Sequence, residues 1–148
     1  MLYTPDFLEF LAALNRHEVR YLVIGGYAVA FHGYPRATKD LDLWLEATPA
    51  NAEKTLEAVR EFFGETLGLE VSDFHSPGVI QLGYAPNRIG LVVLPEGNPT
   101  FAEAFARARE TRAGGIPVRV VSKEDLLALK RAFGRTQDFA DVDALEEE

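Results

Sequence analysis

The segment Lys39-Asp40-Leu41-Asp42-Leu43-Trp44-Leu45 constrains this chain more than any other, because its leucines and its acids separate onto opposite faces only in a β-strand. Leu41, Leu43 and Leu45 then turn to a core, while Asp40 and Asp42 turn to a cleft. Asp is disfavoured in strands, so two of them inside one apolar strand imply a use. Carboxylates at i and i+2 share a face and can converge on one hard cation. Upstream, the run Tyr21-Leu22-Val23-Ile24 is stopped by Gly25-Gly26, and Tyr27 to His32 has the small-apolar texture of a helix ended by Gly33. A glycine pair at a strand end lets backbone amides approach phosphate oxygens. Strand, glycine turn, helix, polar loop and acidic strand together point to a metal-nucleotide site.

The 148 residues, 47% of them hydrophobic, suit one compact domain spanning 1–148 with its own core. Cysteine is absent, so disulfides and thiolate metal sites are excluded, and three histidines make oxygen the expected metal donor. A net charge of −8 opposes sequence-independent binding to a nucleic-acid backbone, which depends on many Lys and Arg. A small nucleotide held by a few local cations and a divalent ion is not opposed in this way. No basic leader followed by an apolar segment opens the sequence, and no apolar run nears the roughly 18 residues of a membrane span, so a cytoplasmic protein without a membrane partner is expected.

The remaining pattern alternates helices and strands. Thr4 caps and Pro5 opens a helix with Phe7, Leu8, Leu11 and Leu14 at helical spacing. Thr48 caps a helix from Pro49 to Phe63 with Ala52, Leu56, Val59 and Phe63 on one stripe. Val79 to Gly83 and Arg88 to Leu94 flank Tyr84-Ala-Pro-Asn87, the pattern of an antiparallel hairpin. Phe101 to Ala108 reads as a helix and Val118 to Val121 as a strand. Ser122 to Asp125 resembles a capping box for a helix ending at Phe133 before Gly134. Asp138 to Leu145 reads as a short helix docking through Ala140, Val142 and Leu145. No internal repeat is present.

Ile24-Gly25-Gly26, thirteen residues, then Asp40-Leu41-Asp42-Leu43 resembles the signature of DNA polymerase β-like nucleotidyltransferases. The stretch from Gly25 to Trp44 is similar to small bacterial members related to the AbiEii/AbiGii-type toxins, and Lys130-Arg131, Gly134-Arg135 and Asp138-Phe-Ala-Asp141 resemble that group's C-terminal pattern. The resemblance covers nearly the whole chain. It implies an α/β (α+β) nucleotidyltransferase fold, a mixed and mostly antiparallel sheet with helices packed against it. It also implies transfer of a nucleoside monophosphate from a nucleoside triphosphate to a hydroxyl of RNA, protein or a small molecule, with Mg²⁺, and an antitoxin as a partner. In that frame Asp40 and Asp42 match metal ligands and catalytic acids, and Gly25 and Gly26 match the phosphate-facing turn. Arg36 and Thr38 are expected to reach the same phosphates, and Lys130 and Asp138 match distal catalytic positions.

One position departs from the pattern. Relatives carry a third carboxylate in an Arg-Ile-Asp-like strand, whereas this chain reads Arg88-Ile89-Gly90-Leu91. Three alternatives stand: another acid such as Glu96 substitutes, Lys130 with Asp138 or Asp141 takes over, or the chain binds nucleotide or a partner without catalysis. Each residue also has a plainer reading. A glycine pair can be only a turn. Arg36 and Thr38 can be only loop residues. Lys130, Arg131 and Arg135 suit a helix C-terminus, and Asp138 and Asp141 suit a helix N-terminus. His17, His32 and His75 read as structural or surface residues.

Overall fold

The fold is described from a computed structural model covering residues 3–34, 40–84 and 87–146. Thr4 caps α1 (Pro5–Arg16) by accepting a hydrogen bond from the Phe7 amide, and α1 leads into β1 (Tyr21–Ile24), all four residues of which are buried. Helix α2 (Gly25–Phe31) follows β1 directly, two residues earlier than the pattern from Tyr27 implies. The glycine pair is thus the first turn of the helix rather than a separate turn. β2 (Asp40–Leu45) buries Leu41, Leu43 and Leu45, as alternation requires. α3 (Pro49–Phe63), capped by Thr48, ends at Gly64 in the left-handed conformation and packs on α1. A 3₁₀ turn at Val71–Phe74 then leads to β3 (Gly78–Leu82) and β4 (Arg88–Val93), which pair antiparallel as the expected hairpin.

The C-terminal half departs more from the sequence pattern. α4 (Phe101–Ala106) stops before Ala108, and Arg109–Ala113 forms a strand, β5, that nothing in its hydropathy announces. β5 turns at Gly114-Gly115, both at positive φ, and pairs antiparallel with β6 (Ile116–Val120). The Gly-Gly pair between two short runs is the hairpin signal that could have revealed it. Helices α5 (Lys123–Phe133) and α6 (Thr136–Glu146) complete the chain. Ala140 is exposed, contrary to expectation; Asp138, Asp141, Val142 and Leu145 form the docked face instead.

The six strands are ordered β3-β4-β2-β1-β6-β5 in one sheet. The pairs β1/β2, β3/β4 and β5/β6 are antiparallel, while β2/β4 and β1/β6 are parallel, giving the mixed, mostly antiparallel sheet expected. Because β2 runs against β1 and with β4, the C-terminal end of β1 and the N-terminal ends of β2 and β4 share one sheet edge. The C-terminal end of β6 reaches the same edge, since Val120 lies beside Val23 in parallel register. Among the described residues no helix is long and apolar enough to cross a membrane.

Asn51 fastens the opposite edge. Its buried amide accepts from the Arg20 backbone N–H at 2.8 Å and donates to the Arg20 and Glu46 carbonyls at 3.0 Å each, tying the entry to β1 to the exit from β2. Asn51→Ala strands the Arg20 N–H, the two carbonyls keeping the Glu46 and Thr48 amides, and is expected to lower unfolding free energy by about 2 kcal/mol, measured by urea denaturation.

Candidate functional site

The shared edge gathers the residues singled out by the sequence. Asp42 lies between two flanking strands, in register with Ile24 of β1 and with Gly90 of β4. A Cβ on Gly25 would stand 2.5 Å from Asp42 Oδ2, and a Cβ on Gly90 would stand 2.6 Å from Asp42 Oδ1. Both glycines therefore leave the space that the carboxylate fills. Gly25 carries a second requirement, since its φ of +70° is one that L side chains rarely adopt. Gly26 is buried behind it. Gly90, by contrast, has no unusual φ and is set apart only by what it lacks.

Asp40 is two residues back on the same strand face, its side chain 38% exposed, with Arg88 Nη1 at 4.0 Å across the parallel pair. Arg36 and Thr38, expected to reach phosphate, lie outside the described residues. Glu96 is a poor replacement for a third acid. It follows the C-terminal end of β4 and lines a hollow of about 220 Å³ with Trp44, Thr48 and Phe101, away from Asp42 along the strands.

The C-terminal helices carry a second charged group. Lys130 of α5 is only 4% exposed and its Nζ lies 3.2 Å from Asp138 Oδ1 and 3.1 Å from Asp141 Oδ2, both carboxylates being wholly buried. Asp138 and Asp141 are three apart on α6 and so share the face that meets α5. Arg135, just before α6, donates through Nε (2.6 Å) and Nη2 (3.2 Å) to the two Asp138 oxygens. The Arg135 backbone N–H also donates to Asp138 at 3.2 Å, half of a capping box at the start of α6. The hydrogen bond to Asp138 raises the Arg135 pKa, and the nearby charges of Asp42 and Asp141 add to the effect. Arg135 therefore stands in the field of the Asp42 carboxylate.

Arg135, which the sequence leaves between a helix-dipole role and the C-terminal pattern, pairs with Asp138 at the Arg-x-x-Asp spacing. His32 is structural as expected, its Nε2 2.7 Å from the Val121 carbonyl oxygen. His17 sits at the surface beside Glu61, 3.2 Å away.

As donors, Asp40 and Asp42 fit one hard cation, offering only carboxylate oxygens and leaving other positions for water or phosphate. A second ion, which a third acid would help to hold, finds less support. Among the described residues no three His, Asp or Glu side chains come together as a metal cage.

No protein-family model and no curated protein matches the sequence. Solved structures do match its fold. The lincosamide antibiotic adenylyltransferase LnuA, determined with lincomycin bound, superposes with a TM-score of 0.59 at 13% identity, over 98% of this chain and 97% of that one. TM1012, a candidate nucleotidyltransferase from Thermotoga maritima, gives 0.59 at 18% identity over 100% and 97%. The antibiotic-resistance factor ANT(2'')-Ia gives 0.59 at 18% identity over 98% and 84%. The chain therefore has a nucleotidyltransferase-like fold, with Asp40 and Asp42 at the sheet edge just described.

Burial pushes the Asp138 carboxyl up, but hydrogen bonds from Arg135 and Lys130 and their charges outweigh it and hold the group below the usual carboxylate range. Its unfolded value is near 3.9. The stabilisation it confers is thus complete above about pH 5 and is lost as pH falls below about 4 toward the folded value. Asp138→Asn is expected to cost about 3 kcal/mol at pH 7, with the gap from wild type closing below about pH 4, read by denaturant melts across pH.

Proposed function

We propose that the chain is a Mg²⁺-dependent nucleotidyltransferase that moves a nucleoside monophosphate from a nucleoside triphosphate to an acceptor hydroxyl. The observation that carries this reading is Asp42, seated between Gly25 and Gly90 on the same strand face as Asp40, in a nucleotidyltransferase-like fold. Asp40 and Asp42 bind the ion, and Gly25 and Gly26 keep the strand end clear of side chains where the phosphates approach. Bound there, Mg²⁺ supplies charge neutralisation on the triphosphate. Arg36 and Thr38 belong to the same phosphate contacts in this reading. Lys130 and Asp138 enter as the buried support of the site, their charged atoms being turned to one another.

Of the acceptors the sequence leaves open, a small molecule is the first to test. LnuA is a lincosamide adenylyltransferase with lincomycin bound, and ANT(2'')-Ia has been determined with adenylyl-2''-tobramycin. A toxin acting on RNA or protein, with an antitoxin partner, rests on the sequence resemblance alone.

Gly90 favours a second reading, a nucleotide-binding or partner-binding protein that no longer turns over. Incubation with each labelled nucleoside triphosphate, Mg²⁺ and a panel of hydroxylated small molecules or cell lysate separates the two. The transferase reading expects a labelled acceptor and a loss of roughly 10²-fold or more in Asp42→Asn. Binding of Mg²⁺-triphosphate by calorimetry with no labelled product under any of the four nucleotides would sink it in favour of the second reading. That second reading expects Gly90→Asp to gain turnover, which requires Asp42 to rotate away from the new Cβ.

A further inference from the structure

Arg135 joins a solvent-facing guanidinium to a buried anchor. Its side chain is 71% exposed, yet the carboxylate that grips it is wholly buried. Behind Asp138 stands Lys130, and behind Lys130 stands Asp141, so the grip continues into the contact between α5 and α6. The Phe133 ring adds a further restraint, with the Arg135 Cζ 5.6 Å from its centroid. Asp138 takes Nε and Nη2, while Nη1 hydrogen-bonds to none of the described residues. The result is a permanently charged fork with one edge locked and one edge open, standing in the field of Asp42.

Charge shows what the open edge suits. Asp40 and Asp42 bring two negative charges to the place where a triphosphate would bring several more, and a single divalent ion does not balance the sum. A guanidinium fixed before the ligand arrives binds phosphate oxygens through short, charge-assisted hydrogen bonds and gives up little side-chain entropy. Of the other cations described along this edge, Arg88 lies beside Asp40 and Arg109 pairs with Val120 on the far side of β6.

We propose that Arg135 is a phosphate-binding residue of the Asp40 and Asp42 site, meeting a phosphate oxygen of the bound nucleoside triphosphate with the guanidinium edge that Asp138 leaves open. The assignment rests on the nucleotide reading above and adds to it a residue that acts on the ligand. Lys130, Asp138 and Asp141 are then positioning residues that hold the arm. The plain alternative is that Arg135 serves only to neutralise the two buried aspartates together with Lys130.

The two roles differ in sign. Arg135→Gln retains an amide donor for Asp138 but removes the charge beside Asp42. As a phosphate ligand, its loss weakens binding of Mg²⁺-α,β-methylene triphosphates by roughly 10- to 100-fold in calorimetry on the full chain. The same loss tightens Mn²⁺ binding without nucleotide by a few-fold, read by electron paramagnetic resonance, because a cation no longer repels the ion. Arg135→Lys, which keeps the charge without the fork, should fall between. Unchanged triphosphate affinity in Arg135→Gln overturns the assignment alone, as does a parallel weakening of Mn²⁺ and triphosphate binding, the mark of a disturbed structure. Failure of wild type to bind any triphosphate while Mn²⁺ still binds overturns the nucleotide reading, and the assignment with it.

Discussion

The structure depends on giving the Asp42 carboxylate room inside a sheet. A strand residue flanked on both sides normally meets two neighbouring side chains on its own face. Asp42 instead meets Gly25, which starts α2, and Gly90, which lies opposite it on β4. One neighbour is a glycine for two reasons, space and a positive φ, so β1 must end and α2 must begin at that residue. The strand order then follows a single logic. β2 lies between β1 and β4, and the ends of all three strands that face the site meet at one edge.

The second constraint is the price of charge in the interior. Lys130, Asp138 and Asp141 are buried together, and each would be strongly destabilising without the others. Two aspartates against one lysine leave a negative charge, which Arg135 offsets from the surface. Apolar residues of similar size would have packed α6 at least as well. What they would not supply is a guanidinium held by Asp138 within the field of Asp42. The arrangement thus links the docking of the last helix to the electrostatics of the sheet edge, although α6 and β2 are nearly a hundred residues apart in sequence.

Much of this was legible because local rules and tertiary packing agreed. Thr4 with Pro5 and Thr48 with Pro49 each combine a cap with a favourable first residue, and both helices begin there. β2 was legible because its leucines alternate with its aspartates, although Trp44 on the aspartate face is buried as well. β5 was not, since Arg109–Ala113 is a largely exposed edge strand with no apolar alternation to read. α6 misled for the opposite reason. Its docked face includes two aspartates, so apolar spacing points to Ala140, which is exposed, and does not mark Asp138 and Asp141 as packing residues. For the candidate site, the two strand aspartates and the glycines were visible as motifs. The role of Arg135 depends on a bend between two helices, and no spacing rule states where such a bend will point.

Gly90 gains meaning from this geometry. An acid there would sit directly beside Asp42 on a neighbouring parallel strand, adding negative charge where one carboxylate already occupies the space. With glycine, the edge holds two acids, one of them in the field of Arg135, a balance less hostile to a polyanion than three acids would be. In the nucleotidyltransferase reading, glycine instead of an acid lowers the electrostatic cost of bringing a triphosphate to the site and leaves out a group able to bind a second ion or take a proton. In the nucleotidyltransferase reading this one residue acts on affinity and turnover in opposite directions, so binding and transfer are separate readouts of it.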